Sequence, residues 1–369
     1  MQFVAPCLLG LEGLAANDLK FKGISDVRAE NGRVLFGGDE STLVRANLCS
    51  SLCARVFILM AEFEARDFDA LFEGVRAAEW SRFIGERDAF PVKGSSLDSS
   101  LTSIPACQKI IKKAVVEKLR ARYHTAWFEE DGAVHQIQFR IFKNRVSIYL
   151  DTTGPALNKR GYRALSGDAP LKETLAAAMA ELARVRKDHI VVDPFCGSGT
   201  ILIEAARKAL NIMPGIDRSF AFEGWSQIDP AIIEQERTRA RGEERHDALF
   251  CAYGYDIDEA SLELAKNNAA LARVADRILF KKRDIRDYAD EFERVSVITN
   301  PPYGERLLDV QAARELYRVM GERFAPKPQH SYTVISPDDS FEKSFGRPAD
   351  KRRKLYNGTL RCNVYMYYK

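Results

Sequence analysis

The stretch DPFCGSGTILIEAA, residues 193–206, runs from the end of an apolar strand through a glycine-rich turn into a helix. Gly197 and Gly199 let the backbone approach a ligand closely, and the first helical turn supplies N–H groups without helical partners. No Gly-Lys-Ser/Thr follows, so the turn is not a Walker loop, and the third glycine of a dinucleotide fingerprint is absent. The turn therefore predicts a ligand site at a strand end without identifying the ligand.

The segments around this turn alternate between strands and helices. Five strand-like runs are separated by helical segments, at residues 189–195, 250–258, 278–284, 295–301 and 330–336. Strands that alternate with helices predict a parallel, doubly wound sheet. In the tail, Asn357-Gly358 separates two further strand-like runs, which predicts an antiparallel hairpin on that sheet. The C-terminal half is therefore predicted to be a Rossmann-like α/β domain.

Acidic residues follow the second and third of these strands. Asp256 ends the second strand, where a carboxylate can accept hydrogen bonds from both hydroxyls of a ribose, with Asp258 as a competing surface acid. Asp284 follows the third strand and is placed to accept from an adenine amino group. Helix capping or simple solvation is the alternative for each carboxylate. Together with the glycine turn, these acids predict an adenosine-bearing ligand.

The fourth strand ends in VSVITNPPYGER, residues 295–306. Pro301 and Pro302 cannot continue a central strand, so they form a rigid, extended corner. The side-chain oxygen of Asn300 and a proline carbonyl can accept from one exocyclic amino group, while Tyr303 stacks on the base that carries it. Two acceptors stabilise the positive charge that develops on a poorly nucleophilic aromatic amine. The corner is therefore predicted to activate an amino group of a base.

The N-terminal half is predicted to contain two small α+β units. Residues 1–66 follow the order β-α-β-β-α-β, with a hairpin at Asn31-Gly32, as in a ferredoxin-like domain. The second unit contains a long basic helix that ends near Tyr123, with Ile110, Ala114 and Val115 on its apolar face. Basic residues of this helix and of the following linker are candidate RNA contacts, with solvated surface as the alternative: Lys109, Lys112, Lys113, Arg120, Lys159, Arg160 and Arg163.

These motifs resemble a known family. The loop DPFCGSGT with NPPY resembles the signature of S-adenosylmethionine-dependent amino methyltransferases. The segment SSLDSSLTSIPACQKIIKKAVVEKL resembles a THUMP domain of RNA-modifying enzymes. The runs LNKRGYR, APLKETLAAA and NPPYGERL resemble bacterial 23S rRNA guanine-N2 methyltransferases, and this resemblance covers essentially the whole chain. Asn158 departs from the family, many members of which have histidine there.

The resemblance implies a domain order and a set of site residues. It implies a ferredoxin-like domain at 1–66, a THUMP domain at 67–154, a basic linker at 155–170 and a class I methyltransferase domain at 171–369. The S-adenosylmethionine site would be formed by Asp193, Gly197, Gly199, Thr200, Asp256 and Asp284. The catalytic motif would be Asn300, Pro301, Pro302 and Tyr303. The motif brings no general base with it, so the proton is expected to leave to water.

Several alternatives stay open at the level of the sequence. The four-residue motif does not choose the base, so the target could also be a tRNA guanine N2 or an adenine N6 in nucleic acid. A non-catalytic RNA-binding module is the alternative of another class, although the intact glycines, Asp256 and Asn300 argue against it. A net charge of +3 over 369 residues neither requires nor excludes RNA. We expect a cytoplasmic protein that is a monomer or a weak dimer. We expect no metal, because the five histidines form no ligand pair.

Overall fold

A computed structural model describes residues 1–163, 171–289, 291–303 and 310–368. The last part of the predicted linker, residues 164–170, lies outside this range. The N-terminal half contains β1 (Gln2–Pro6), α1 (Glu12–Phe21), β2 (Arg28–Glu30), β3 (Arg33–Gly37), α2 (Glu40–Cys49), β4 (Phe57–Glu64), α3 (Phe68–Arg76), β5 (Val92–Leu97), α4 (Ile104–Tyr123), β6 (Ile137–Phe142) and β7 (Arg145–Asp151).

The C-terminal half alternates strands and helices, as predicted, and closes with a hairpin. Its elements are α5 (Glu173–Leu182), β8 (Ile190–Asp193), α6 (Thr200–Ala209), α7 (Pro230–Gly242), β9 (Cys251–Asp256), α8 (Glu259–Leu271), β10 (Ile278–Lys282), β11 (Val295–Thr299), α9 (Val310–Arg323), β12 (His330–Ser336), α10 (Phe341–Phe345), β13 (Lys351–Asn357) and β14 (Leu360–Tyr367).

The two N-terminal units share one seven-stranded sheet. Its strand order is β2-β3-β1-β4-β7-β6-β5, so the ferredoxin-like strands join the THUMP strands where β4 pairs antiparallel with β7. The predicted hairpin at Asn31-Gly32 is present, with Glu30 opposite Arg33. The predicted β-α-β-β-α-β order is confirmed. The sharing of one sheet was not expected from the sequence, because strand pairing over a long separation leaves no local pattern.

The basic helix α4 packs its apolar face on this sheet. Its fully buried side chains are Cys107, Ile111, Ala114, Val115 and Leu119. Ile110, which was predicted for this face, is only half-buried, and Ile111 takes the core position instead. The prediction is confirmed for Ala114 and Val115, so only Ile110 was placed wrongly. Ser103 caps the helix by accepting from the backbone N–H of Ala106 at 3.4 Å.

The second sheet has the order β10-β9-β8-β11-β12-β14-β13. The strands from β10 to β12 run parallel, and β14 pairs antiparallel with both β12 and β13. The order reverses between β8 and β11, since β9 lies on one side of β8 and β11 on the other. Ligands of open α/β sheets bind at the carboxyl ends of the strands beside such a switch point.

The segment that leads into β6 packs against the segment that precedes α7. Phe220, Phe222 and Trp225 are buried and belong to the core. The Trp225 indole donates to the carbonyl of Val134 at 3.1 Å and stacks on His135, with ring centroids 4.3 Å apart. Burial lowers the pKa of His135 to about 4, so this stacked imidazole is neutral at physiological pH. Across the described residues, no helix has the length and apolar character that a membrane span requires.

Candidate active site

The glycine turn lies between β8 and α6 and is held in a left-handed backbone conformation. Gly197 has φ +48° and Gly199 has φ +79°, a region that favours glycine. A Cβ at Gly199 would lie 3.1 Å from both the Cβ of Ala265 and the Cζ of Phe280. A Cβ at Gly197 would meet nothing within 4 Å. Gly199 is therefore required for packing as well as backbone geometry, whereas Gly197 borders open space in which a ligand can approach the backbone.

Asp256 joins this turn to the end of β9. Its Oδ2 accepts from the backbone N–H of Gly197 at 2.9 Å, and its Oδ1 accepts from that of Asp258 at 3.0 Å. A carboxylate offers about four acceptor positions, so two ribose hydroxyls can still be bound. Asp258 instead caps α8, accepting from the backbone N–H groups of Ala260 and Ser261. The capping alternative therefore applies to Asp258, and Asp256 remains the candidate for the ribose.

Asp193 is buried beneath the turn. Its Oδ1 accepts from the Thr299 hydroxyl at 2.6 Å and from the backbone N–H of Phe195 at 3.1 Å. Burial, assisted by the negative charge of Asp256, raises the pKa of Asp193 to about 7 despite these two hydrogen bonds. Asp193 therefore fixes the ends of β8 and β11 relative to each other and does not face solvent.

Asp284 caps a short 3-10 helix, Ile285–Asp287, after β10. Its two carboxylate oxygens accept from the backbone N–H of Arg286 at 2.8 Å and from the guanidinium of the same residue at 2.9 Å. Asp284 therefore acts as a helix cap, which was the alternative to ligand binding in the sequence analysis. Free acceptor positions remain on the carboxylate, so its contact with an adenine amino group stays a prediction.

The motif at residues 300–303 follows β11 at the same edge of the sheet. Pro301 is buried, whereas Asn300, Pro302 and Tyr303 are half-buried. The phenol oxygen of Tyr303 accepts from Nδ2 of Asn357, at the end of β13, at 3.2 Å. Since β8 and β11 pair in parallel, the glycine turn and the motif emerge side by side. The loop N–H groups, the open side of Gly197 and the Asp256 carboxylate fit an adenosine-bearing cofactor next to this corner.

Two of the linker arginines are engaged inside the protein. Arg160 is 1% exposed, and its guanidinium donates to the carbonyls of Ser51 at 2.5 Å and Leu157 at 2.7 Å. The prediction that Arg160 binds RNA is therefore wrong for this conformation, because a buried guanidinium cannot reach a phosphate. Arg163 donates to the Thr200 hydroxyl at 2.5 Å at the first residue of α6 and pairs with Glu173 at 3.4 Å.

The basic residues of α4 divide into engaged and exposed groups. Lys112 pairs with Glu130 at 2.6 Å, and its Nζ lies 3.5 Å from the ring centroid of Phe90. Burial lowers the pKa of Lys112, although Glu130 partly opposes this shift. Lys112 thus holds the loop that carries Glu130 while remaining partly exposed, and its contact with RNA stays a prediction. The other candidates on α4 and in the linker are exposed: Lys109, Lys113, Arg120 and Lys159.

The opposite edge of the sheet carries a separate cleft of about 710 Å³. It is lined at the amino ends of β8, β11 and β12 by Ile190, Val295 and His330. The predicted cofactor-binding residues and the motif at residues 300–303 lie at the carboxyl ends of the strands, so this cleft is not the predicted active site. No group of three or more acidic, histidine or cysteine side chains suited to a metal occurs within the described part of the chain.

Three contacts of this site were not anticipated from the sequence. They are the bond from Thr299 to Asp193, the bond from Arg163 to Thr200, and the bond from Asn357 to Tyr303. Thr299 immediately precedes the predicted catalytic motif. A hydroxyl group at the end of a buried strand, next to a strand that ends in an acid, was therefore a usable signal. The other two contacts join segments that are distant in sequence, so no local sequence pattern indicates them.

Family models match three consecutive parts of the chain. Residues 2–57 match the RlmL ferredoxin-like domain, residues 65–151 the THUMP domain, and residues 160–366 the RMKL-like methyltransferase domain. The "Putative RNA methyltransferase YpsC" of Bacillus subtilis is 39% identical over 367 residues, 99% of this chain and 95% of that protein. The ribosomal RNA large subunit methyltransferase K/L of Shewanella baltica is 32% identical over 379 residues. The match covers 100% of this chain but only 53% of that protein.

Two solved structures share the whole architecture. The crystal structure of SMU.472, "a putative methyltransferase complexed with SAH", superposes with a TM-score of 0.95 at 40% identity, covering 100% of this chain and 97% of that one. A protein from Listeria monocytogenes described as a predicted N6-adenine-specific DNA methylase superposes with a TM-score of 0.94 at 39% identity, covering 100% and 96%. With its ferredoxin-like and THUMP domains preceding the catalytic sheet, the chain belongs to the family of RMKL-like methyltransferases.

Proposed function

We propose that this protein transfers a methyl group from S-adenosylmethionine to the exocyclic N2 amino group of a guanine in RNA, and that the RNA is 23S rRNA. The observation that carries the proposal is the position of Asn300 to Tyr303. The motif leaves β11 beside the glycine turn of β8, at the switch point of the sheet. An amine-binding corner and a cofactor loop at neighbouring strand ends are what methyl transfer to a base requires.

S-adenosylmethionine is the methyl donor, as its product in the closely similar SMU.472 structure and the family membership indicate. The cofactor supplies an electrophilic methyl group at this edge of the sheet. In our assignment Asp256 binds the ribose hydroxyls, Asp284 accepts from the adenine amino group, and the first N–H groups of α6 line the turn. Arg163 orients the Thr200 hydroxyl at the start of α6.

Asn300 and Pro301 act on the nitrogen that is methylated. The Asn300 side-chain oxygen and the Pro301 carbonyl each accept one N–H of the guanine amino group, which draws that nitrogen out of conjugation with the ring. Both acceptors bind the developing positive charge more strongly than the neutral amine, so they lower the barrier. Tyr303 stacks on the base, and the proton released after transfer leaves to water.

The N-terminal half supports RNA as the substrate. A THUMP domain precedes the catalytic sheet, and the exposed bases Lys109, Lys113 and Arg120 lie along one helix of that domain. The similar Shewanella baltica protein is a ribosomal RNA large subunit methyltransferase, which favours 23S rRNA over tRNA. A base within folded RNA must be splayed out to reach a pocket, and a separate RNA-binding domain can hold the surrounding backbone. We place this activity in the cytoplasm, where ribosomal RNA is modified.

Adenine N6 is a second candidate target. The Listeria monocytogenes protein of the same architecture is described as a predicted N6-adenine-specific DNA methylase. The two acceptors and the tyrosine would bind adenine in the same way, because the motif recognises only an amino group and the flat face of the base that carries it. The choice between guanine and adenine depends on contacts with the rest of the base.

Methylation of purified RNA in vitro tests the proposal. Naked 23S rRNA, 16S rRNA and bulk tRNA, each lacking the modification, are incubated with labelled S-adenosylmethionine, digested to nucleosides and separated by mass spectrometry. We expect N2-methylguanosine from the 23S sample. N6-methyladenosine would support the second candidate, and cofactor binding without transfer to any RNA or ribosomal precursor would favour a non-catalytic RNA-binding module.

A further inference from the structure

The C-terminal hairpin reaches the catalytic motif. Asn357 is the last residue of β13, and its Nδ2 donates to the phenol oxygen of Tyr303 at 3.2 Å. The contact joins residues 54 positions apart. It also joins two strands that are not neighbours, because β12 and β14 lie between β11 and β13. The contact is therefore not a by-product of strand pairing.

The strand directions place Asn357 at the edge of the sheet where the motif lies. β12 runs parallel to β11, β14 runs antiparallel to β12, and β13 runs antiparallel to β14. β13 is thus parallel to β11, so both strands end at the same edge. The hairpin turn follows directly, with Asn357 opposite Leu360. The positive φ of the turn, +64°, belongs to Gly358 and not to Asn357.

The motif spans the distance between these two strand ends. Three intervals between neighbouring strands amount to about 14 Å, and four fully extended residues cover about 14 Å at most. Residues 300–303, together with the side chains of Tyr303 and Asn357, are therefore long enough to bridge the two strand ends. Pro301 and Pro302 favour an extended form.

The motif is consequently held at both ends. At its beginning, the hydroxyl of Thr299, which is 0% exposed, donates to Asp193 at 2.6 Å. At its end, Asn357 holds the phenol of Tyr303. A ring held at its oxygen keeps its long axis in one direction before a base arrives, so less freedom is lost when the base stacks.

We propose that Asn357 is a positioning residue, which acts through Tyr303 by presenting the tyrosine face to the target base. This inference rests on the proposed stacking role of Tyr303. It adds a residue from the C-terminal hairpin to a site otherwise formed by the ends of β8, β9, β10 and β11.

A double-mutant cycle tests the proposal. Asn357→Leu keeps the side-chain size but removes the donor, and Asn363→Leu is the matched control, since Asn363 lies on the same hairpin and bonds to Asp339. We expect Asn357→Leu to lower the single-turnover rate at saturating RNA and cofactor by about tenfold, without changing cofactor affinity. Asn363→Leu should stay within about twofold. In a Tyr303→Phe background, Asn357→Leu should add less than about twofold, because the contact is already lost.

Equal losses from Asn357→Leu in both backgrounds would overturn the proposal, since the effect would not pass through the phenol. A parallel fall in cofactor affinity would overturn it as well. The free protein provides a readout that needs no RNA. With 3-fluorotyrosine incorporated at position 303, Asn357→Leu should change the ¹⁹F shift and line width of that ring, and Asn363→Leu should not. An unchanged ¹⁹F signal refutes the contact. A changed signal in a protein that methylates no RNA upholds the contact and refutes the proposed function instead.

Discussion

The hydroxyl of Thr299 donates to Oδ1 of Asp193 at 2.6 Å, and neither residue is more than 1% exposed. This bond joins the ends of β8 and β11, from which the glycine turn and the predicted catalytic motif emerge. It therefore fixes the two halves of the site relative to each other. It also places an ionisable group where water cannot solvate its charge, which raises the pKa of Asp193 to about 7.

This raised pKa predicts a pH dependence of stability. Between pH of about 4 and 7, Asp193 keeps its proton in the folded protein but loses it in the unfolded chain. Folding then binds a proton, so the free energy of unfolding falls as the pH rises through this window and levels off above it. Asp193→Asn removes the titration but keeps the acceptor for Thr299. Urea unfolding at several pH values should show the stability of wild type falling relative to the variant from pH 4 to 7. A constant difference would contradict the assignment.

Asp256→Ala is expected to weaken cofactor binding first. Loss of a charged acceptor for two ribose hydroxyls should raise the dissociation constant of S-adenosylmethionine by about tenfold to a hundredfold. The matched control is Asp258→Ala, which removes the cap of α8 and should lower stability by about 1 kcal/mol with little effect on binding. Isothermal titration and thermal unfolding separate the two variants. If Asp256→Ala alters only turnover at saturating cofactor, the ribose assignment fails.

Arg163 is expected to serve the cofactor loop although it lies in the basic linker. Arg163→Lys keeps the charge but loses the fork that reaches both Thr200 and Glu173, so cofactor affinity should fall by about tenfold. Lys159→Gln removes an exposed charge of the same linker and should leave cofactor affinity unchanged. Titration with S-adenosylmethionine compares the two variants. If Arg163→Lys and Lys159→Gln bind S-adenosylmethionine with equal affinity, the contact with Thr200 has no role in binding the cofactor.

The exposed bases of α4 are expected to contact RNA phosphates. Reversing Lys109, Lys113 and Arg120 to glutamate should weaken RNA binding. It should also flatten the slope of log affinity against log salt by about 0.7 to 0.9 per lost phosphate contact. Lys112→Met is the control: it breaks the pair with Glu130 and should lower thermal stability while changing the salt slope less than the triple variant does. Filter binding at several salt concentrations measures both. An unaltered slope in the triple variant would mean that this helix is only solvated.

The sequence predicted the architecture because that architecture depends on local patterns. Alternating strands and helices, the Asn31-Gly32 turn and the glycines after β8 each carry their own signal. The contacts that Arg160 and Lys112 make inside the protein were not predictable from local patterns. Basic residues at linker or helix-surface positions look solvated, and only the folded chain brings the carbonyl of Ser51 to Arg160 and the carboxylate of Glu130 to Lys112.

In the candidate site, too, local patterns predicted some features, whereas others depend on the folded chain. Asp256 and Asn300 were placed correctly at the carboxyl edge of the sheet, because the ends of parallel strands meet there. The contact between Asn357 and Tyr303 depends on the position of the hairpin in the strand order. The Asn357-Gly358 pair predicted a turn but not the residue that the turn would touch. Strand order is set by pairing over long separations, which a single sequence does not display.

Asn300 is expected to act on the transition state. Asn300→Ala should lower the rate of methyl transfer by at least about a hundredfold, the scale of losing one transition-state acceptor, while cofactor affinity changes little. Single-turnover methylation and cofactor titration on the same preparation measure both effects. An equal loss of cofactor affinity would assign Asn300 to the wrong ligand.

The nucleosides of 23S rRNA from a deletion strain test the central claim most directly. The strain is compared with the same strain carrying the wild-type gene or the Asn300→Ala gene, and modified nucleosides are mapped by mass spectrometry. We predict that one N2-methylguanosine disappears from 23S rRNA on deletion, returns with the wild-type gene and does not return with Asn300→Ala. An unchanged N2-methylguanosine content in 23S rRNA, with loss of N6-methyladenosine or of a tRNA modification instead, would contradict the proposed function.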